Sequence, residues 1–551
     1  MVLRFTPPAR VAAATLRRQG RDRRRLVITD AAAEISLRGE RLPLTENSQR
    51  RIGILLSYVC IILQTIVGFL YIPLLLHFIS REEYGLYQLV GSLIAYFGVM
   101  DFGLSSMVVR FYAKYLALGD REGMENILAI ATRAYAVIGV LVLLLGLVAF
   151  PFLDEVFGTH ISPVELSEGK HIYLLLLGNF VVTMLGAVYS AVITARQEFL
   201  FLKGLQCVQI AVQPVVVLAV LLQYPCALSV ALANTALNVL LILTRVYYSY
   251  ARLHIRIAFH YWDRQLFHEV GRYMLACVVV TVTDIIFFNT NQVILGIVQG
   301  TAAVAVYSLS NMIRTSYMSM SVAISGVFLP HVTEMVARRR PVAEISRLFI
   351  KVGRLQFLVL AAVAACFVVF GREFIHIWAG DGFEDAYIIT LLIILPFSTD
   401  LIQNLGFTVL QAMNRYEIRS YVQAIVGIVN IILAIPLGIH YSGIGCAFAT
   451  GLCMFLGNGI GMTYCYGAML HIDVVRFWRQ ILLMTAKVAA LAFFFALLDG
   501  IVSAEVTGTF FFMMKLLIFA GAYSVYAYAT CMNEEERALV RGFLKRCYER
   551  K

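Results

Sequence analysis

Ser80-Arg81-Glu82-Glu83-Tyr84-Gly85-Leu86-Tyr87 follows the first long apolar segment of the chain, and Gly300-Thr301-Ala302-Ala303-Val304-Ala305-Val306-Tyr307 follows the seventh. Moving the sequence by 220 positions lays Tyr84-Gly85-Leu86-Tyr87 on Val304-Ala305-Val306-Tyr307. At an offset of 217, Lys203-Gly204-Leu205-Gln206 falls on Ser420-Tyr421-Val422-Gln423 and Tyr224 falls on Tyr441. Short apolar words recur by chance, so each match alone is weak. Their common order and near-constant offset are not explained that way. Fourteen apolar segments, the second set repeating the first, predict two helical bundles related by an internal symmetry. Secondary transporters are built so, with the substrate site between the repeats.

Composition requires a membrane. Hydrophobic residues make up 60 % of the 551, charged residues only 14 %, and the mean hydropathy is +0.79, which excludes an ordinary soluble domain. A hydrocarbon core of about 30 Å takes roughly 20 apolar residues per helix. Spans are predicted near 52–79, 85–109, 128–153, 171–195, 204–223, 226–250, 273–297, 303–328, 348–370, 386–412, 417–439, 443–469, 477–499 and 508–530. The expected fold is an all-α integral membrane protein: a bundle over 51–250, a second over 273–470, and two further helices over 471–530.

Charge sets the orientation. With the N-terminus inside, the six inner loops and their helix ends carry twenty Lys and Arg, against Arg81, Lys170 and Arg372 in the outer loops. That asymmetry satisfies the positive-inside rule and puts both termini in the cytoplasm of a cell whose inner membrane holds the protein. The formal charge of +11 is therefore chiefly a topology signal. Residues 1–51 hold twelve Arg and five acids without interleaved aromatics, so nucleic acid is not an expected partner. The 1–50 leader lacks the apolar core of a secretory signal. It reads either as a disordered cytoplasmic tail suited to anionic lipid or as an over-extended gene start. Ten cysteines with no CxxC pair read as small core residues, and no metal ligand set is formed. The stretch 251–272 reads as an interfacial amphipathic linker, and 531–551 as a cytoplasmic tail.

Ionisable groups inside spans are the candidates for function, since a charge at the bilayer centre costs about 2.5–3.5 kcal/mol on insertion scales. Arg314 lies near the middle of the eighth span, on a stripe with Tyr307, Asn311, Ser321 and Ser325. The second span carries Gln88, Ser92, Gly103, Ser106, Arg110 and Lys114 at similar spacing. Arg314, Arg110, Asn311, Tyr307 and Lys114 are thus candidates to line a cavity for an anionic head group, because a guanidinium holds phosphate oxygens in a fork. The competing reading pairs Arg314 with Asp284. Asp284, Asp400, Asn291 and Gln64, the repeat partner of Asp284, are candidates for proton or Na⁺ coupling. Asp101 reads as a helix-packing acceptor, and Lys515 as a snorkelling side chain.

The motif Ser80-Arg81-Glu82-Glu83-Tyr84-Gly85-Leu86-Tyr87, continued by Met100-Asp101-Phe102-Gly103-Leu104 and Val109-Arg110, resembles the polysaccharide flippases (Wzx-like) of the multidrug/oligosaccharidyl-lipid/polysaccharide exporter superfamily. The resemblance covers roughly residues 50–530. It implies translocation of an undecaprenyl-pyrophosphate-linked oligosaccharide to the outer leaflet by alternating access, without a cofactor beyond H⁺ or Na⁺. The partners it implies are that lipid-linked substrate, the bilayer and other polysaccharide-assembly membrane proteins. A multidrug or cation antiporter of the same superfamily is the alternative, and predicts a cavity of carboxylates and aromatics. A membrane oligosaccharide polymerase would need a large outer loop carrying acid/base chemistry, and the outer loops here are short. The glycan, the coupling ion and the oligomeric state are not written in the sequence.

Overall fold

The computed structural model describes residues 46–261, 281–282, 285, 287–413, 417–502, 508–538 and 541–542. The chain divides into two compact units, 1–54 and 55–551. The described part of the first is the opening of helix α1 (Glu46–Phe78). Everything below belongs to the second, where the described secondary structure is helical, without a strand.

Helices α2 (Arg81–Leu118), α3 (Arg121–Ala149), α4 (Pro163–Ala195), α5 (Phe199–Leu221) and α6 (Ala227–Ala251) complete the first repeat. Of α7, the stretch Phe287–Val298 is described as an apolar helix. Next come α8 (Thr301–Ala337) and α9 (Val342–Ala379), then α10, bent by 43° between Asp385–Leu401 and Asn404–Ala412. One apolar run, Ile418–Leu470, is 53 residues long. As a single helix it would reach about 80 Å, well over twice the thickness of a hydrocarbon core. Ser442, at φ 51° and ψ −138°, breaks it. Cys446 Sγ then donates to Ala434 O at 3.6 Å and Thr450 Oγ to Asn430 Oδ1 at 3.3 Å, while a Cβ on Gly457 would strike Val426. These contacts fold back about residue 441, so the run is an antiparallel pair, α11 (418–441) and α12 (443–470). Helices α13 (Val474–Val502) and α14 (Thr509–Cys531) end the described body. Counted this way there are fourteen apolar helices, α7 being described over one part.

Local chemistry sets the turns. Ser80 Oγ accepts from the Glu83 amide and the Ser80 amide donates to Glu83 Oε2, both at 3.1 Å, a reciprocal cap that starts α2. Ser162 and Glu165 repeat the arrangement at α4, with Pro163 in the first helical position. Helix α2 is not continuous. A 3₁₀ stretch, Tyr96–Asp101, leads into Phe102 at φ 49° and Gly103 at φ 71°, and the α-helix resumes at Leu104. Tyr135 of α3 donates to Asp101 Oδ1 at 2.6 Å and holds the break against the bundle, the packing role expected of Asp101.

The repeat is visible in hydrogen bonds. In the first half, Asn234 Nδ2 donates to Tyr87 OH (3.1 Å) and Gln213 Nε2 to Asn234 Oδ1 (3.0 Å). In the second, Asn291 Nδ2 donates to Tyr307 OH (2.7 Å) and to Thr450 Oγ (2.6 Å), which reaches Asn430. Offsets of 220, 217 and 216 carry Tyr87, Gln213 and Asn234 onto Tyr307, Asn430 and Thr450.

The apolar core is partitioned, and that partition positions the site. Let the outer end be the one holding Arg81, Gly300 and Gly380, after the charge rule. There one cluster joins both repeats: Leu75, Ile79, Tyr84 and Leu89 with Val304 and Tyr307. Toward the inner end each repeat has its own core, with Leu104, Phe111 and Tyr135 in the first and Phe349, Leu405 and Tyr466 in the second. A fourth cluster fastens α13 and α14 to α9 through Val488, Phe519 and Phe370.

Candidate functional site

Helix α8 carries the candidate site. Arg314 lies thirteen residues past Thr301, about 20 Å along the helix axis and deep within the apolar length of α8. The residue is 7 % exposed. Its Nε donates to Asn311 Oδ1 at 2.7 Å, and Nη2 lies 3.4 Å from Thr315 Oγ. The guanidinium sits over the Phe288 ring of α7, 4.2 Å from its centroid, and 5.9 Å from that of Phe397 on α10. Among the described residues no carboxylate forms an ion pair with it. Asp284, the counter-ion considered from sequence, lies outside the described residues.

Among the described residues the buried guanidinium meets hydrogen-bond acceptors and rings but no carboxylate. Desolvating an ion costs several kcal/mol, and a desolvated ring face returns about 2 kcal/mol. An anion reaching Arg314 would meet a fork already oriented by Asn311 and flanked by two rings.

Of the other cavity candidates, Asn311 alone is hydrogen-bonded to Arg314 among the described residues. Tyr307, Ser321 and Ser325 on the same stripe are buried, Tyr307 within the cluster that joins the two repeats. Ser321 donates to Leu401 O at 2.8 Å and Ser325 accepts from Asn404, so the stripe faces the α10 bend. The stripe drawn along α2 is corrected likewise. The αL pair at 102–103 resets the helical phase, so Ser92 is buried against Gln292 while Arg110 and Lys114 are exposed on the inner half.

Among the coupling candidates, Asp400 is buried and paired with Arg419 at 3.2 Å. Gln64 is exposed. Asn291 is 1 % exposed and joins the Tyr307–Thr450 hydrogen bonds, with its Oδ1 left without a protein partner. Lys515 does not snorkel. Its ammonium lies 2.9 Å from Glu373 and 2.9 Å from Asp499, tying α14 to α9 and α13.

Beside α8 a cavity of 490 Å³ opens between α1, α9 and α14, lined by Phe69, Ile313, Phe367, Phe370, Phe512 and Phe519 among others. Its lining is almost wholly apolar. Ile313, next to Arg314 in sequence, contributes to its wall. Nothing in the sequence singles out Phe288 and Phe397. Phe397 adjoins Pro396 and Phe288 is one turn from Asp284, but neither ring declares a cation until the helices are packed.

Comparison with known proteins agrees with this geometry. The family described as polysaccharide biosynthesis protein matches residues 52–336. A membrane protein of Bacillus subtilis (strain 168), uncharacterized and called EpsK, is 24 % identical over 415 residues, 70 % of this chain and 77 % of that one. Among solved structures, the lipid II flippase MurJ in an inward closed conformation superposes with a TM-score of 0.68 at 13 % identity, over 86 % of this chain and 98 % of MurJ. An inward-facing multidrug resistance MATE transporter of the MOP superfamily gives 0.59 at 11 %, over 76 % and 96 %. These likenesses show the fold.

Proposed function

The chain belongs to the polysaccharide biosynthesis protein family, and we propose that it is a flippase of the MOP superfamily that carries an undecaprenyl-pyrophosphate-linked oligosaccharide from the inner to the outer leaflet of the cytoplasmic membrane by alternating access. The observation that carries the reading is Arg314: a mid-membrane guanidinium, oriented by Asn311 and lacking a carboxylate partner among the described residues. A pyrophosphate leaving water must find fixed donors, since an unpaired charge in hydrocarbon costs several kcal/mol or more. The apolar cavity beside Ile313 suits the lipid tail while the head group is at Arg314. A multidrug antiporter, which holds cationic cargo, gains nothing from a buried cation that meets no carboxylate among the described residues.

Arg314→Ala should abolish glycan export while protein abundance stays near normal, and undecaprenyl-linked glycan should accumulate inside. Arg314→Lys should restore part of the export, because it keeps the charge and loses the fork. Extraction and mass analysis of lipid-linked intermediates reads both. Recovery of export in the double variant Arg314→Ala, Asp284→Ala would overturn the head-group role and make Arg314 a counter-ion.

A further inference from the structure

The family motif at the start of α2 contains a cation that the transport reading leaves without a task. Arg81 crosses from the first repeat to the second. Its Nε donates to Ala302 O at 3.3 Å, and its guanidinium stands 5.5 Å from the centroid of the Phe383 ring. A Cβ on Gly382, which holds φ +85°, would come within 3.1 Å of Arg81 Nη1. Glu384, two residues on, is held below the ordinary carboxylate range, first by the Gly382 amide and further by the Arg81 charge.

Neighbouring contacts join the same two halves at the same end. Any side chain on Gly85 would overlap the Thr301 carbonyl, so α2 and α8 meet backbone to backbone. At the 220 offset Arg81 corresponds to Thr301 and Gly85 to Ala305, so the crossing brings Gly85 against its own repeat equivalent and that of Arg81. Gly300, at φ +84°, leaves a Cβ only 2.7 Å from His160 O, and Trp378 Nε1 donates to Phe69 O at 2.6 Å.

We propose that Arg81, seated on Ala302 O and Phe383 over the Gly85–Thr301 crossing, is the clasp of the outer gate, and that releasing it opens the cavity to the outer side. The task belongs to Arg81 because the Gly85–Thr301 and Gly300–His160 approaches are fixed by backbone shape and the Trp378 indole is buried against Phe69 and Phe374, whereas the half-buried Arg81 side chain can swing away. Arg81 acts on conformation and touches no cargo. The proposal rests on alternating access, and its test reads the gate directly.

Place a cysteine at Ser92, which is 4 % exposed beneath the crossing, in a cysteine-free background. Then measure its modification by a membrane-impermeant maleimide added outside sealed cells. Removing a charge-assisted hydrogen bond should raise the open population, and with it the labelling rate, about tenfold in Arg81→Ala. Arg81→Lys should fall between, and Gly85→Leu, which wedges the crossing, should also raise labelling. Equal labelling in Arg81→Ala and the parent would overturn the proposal. Should Arg81→Ala fail to accumulate, Phe383→Ala, which removes the ring beneath the guanidinium, takes its place with the same two outcomes. Failure of the flippase reading looks different: labelling changes as expected while no lipid-linked glycan accumulates.

Discussion

Near the inner end of α9, Arg354 lies buried against the segment that follows α14. Its Nε and Nη2 donate to the two carboxylate oxygens of Glu536 at 2.8 and 2.9 Å, Nη2 also to Cys531 O, and Nη1 to Gln480 of α13. Both side chains are under 10 % exposed. A buried pair of this kind contributes little over an apolar substitute, yet stranding one partner costs about 3–5 kcal/mol. Glu536→Ala should therefore lower the thermal unfolding midpoint in detergent markedly, while Arg354→Met with Glu536→Leu should recover most of it. A single variant that melts like the parent would show the pair to be idle. From sequence Arg354 reads as one more positive-inside residue, because its partner is 182 positions away and no periodicity links them. Lys515 was misread for the same reason: Glu373 is 142 positions distant, and the ring of charge exists only once α9, α13 and α14 have packed. The Ser80–Glu83 cap spans three positions and needs no tertiary contact, whereas a long-range pair exists only once the helices have packed.

At the scale of elements, hydropathy located the helices and the repeat offset located their equivalents, down to the turn at Tyr441-Ser442-Gly443. The bend in α2 was not anticipated. The Asp101-Phe102-Gly103 triplet had been noted as a motif, but a helical wheel counts straight through it. Two consecutive left-handed residues displace every later position, which is why the polar stripe from Gln88 to Lys114 does not exist as one surface. The αL conformation at Gly103 costs glycine nothing, whereas a β-branched residue there strains the backbone by about 1–3 kcal/mol. Gly103→Val should reduce accumulation and the melting midpoint, and Gly103→Asn, a residue tolerant of this region, should do so far less. Equal behaviour of the two variants, measured by fluorescence-detected chromatography after graded heating, would mean that the bend does not depend on φ at that position.

For the whole molecule, the distribution of core decides how it can move. The repeats share an apolar cluster at one end and keep separate cores at the other, so a rocking motion would exchange the shared contacts and leave each lobe intact. Which compartment the closed end faces follows from the charge rule alone, since helices carry no record of which side is which. We propose from the twenty basic residues against three that the shared cluster lies on the outer side. Reporter fusions after Lys170 and Arg372 should accordingly be active only in the periplasm, and fusions after Arg264 and Arg340 only in the cytoplasm. Odd and even helix counts between these points make the four fusions a strict test, because one missing or extra span reverses every later signal. A reversal of all four, with the number of spans before Lys170 unchanged, would turn the clasp at Arg81 into an inner gate, leaving its geometry intact and inverting the direction of the cycle. A reversal of one pair would instead remove a helix from the count of fourteen. The stretch bounded by Gly300 and Arg372 is the place to look first, because α8 and α9 there must carry the chain across the membrane twice.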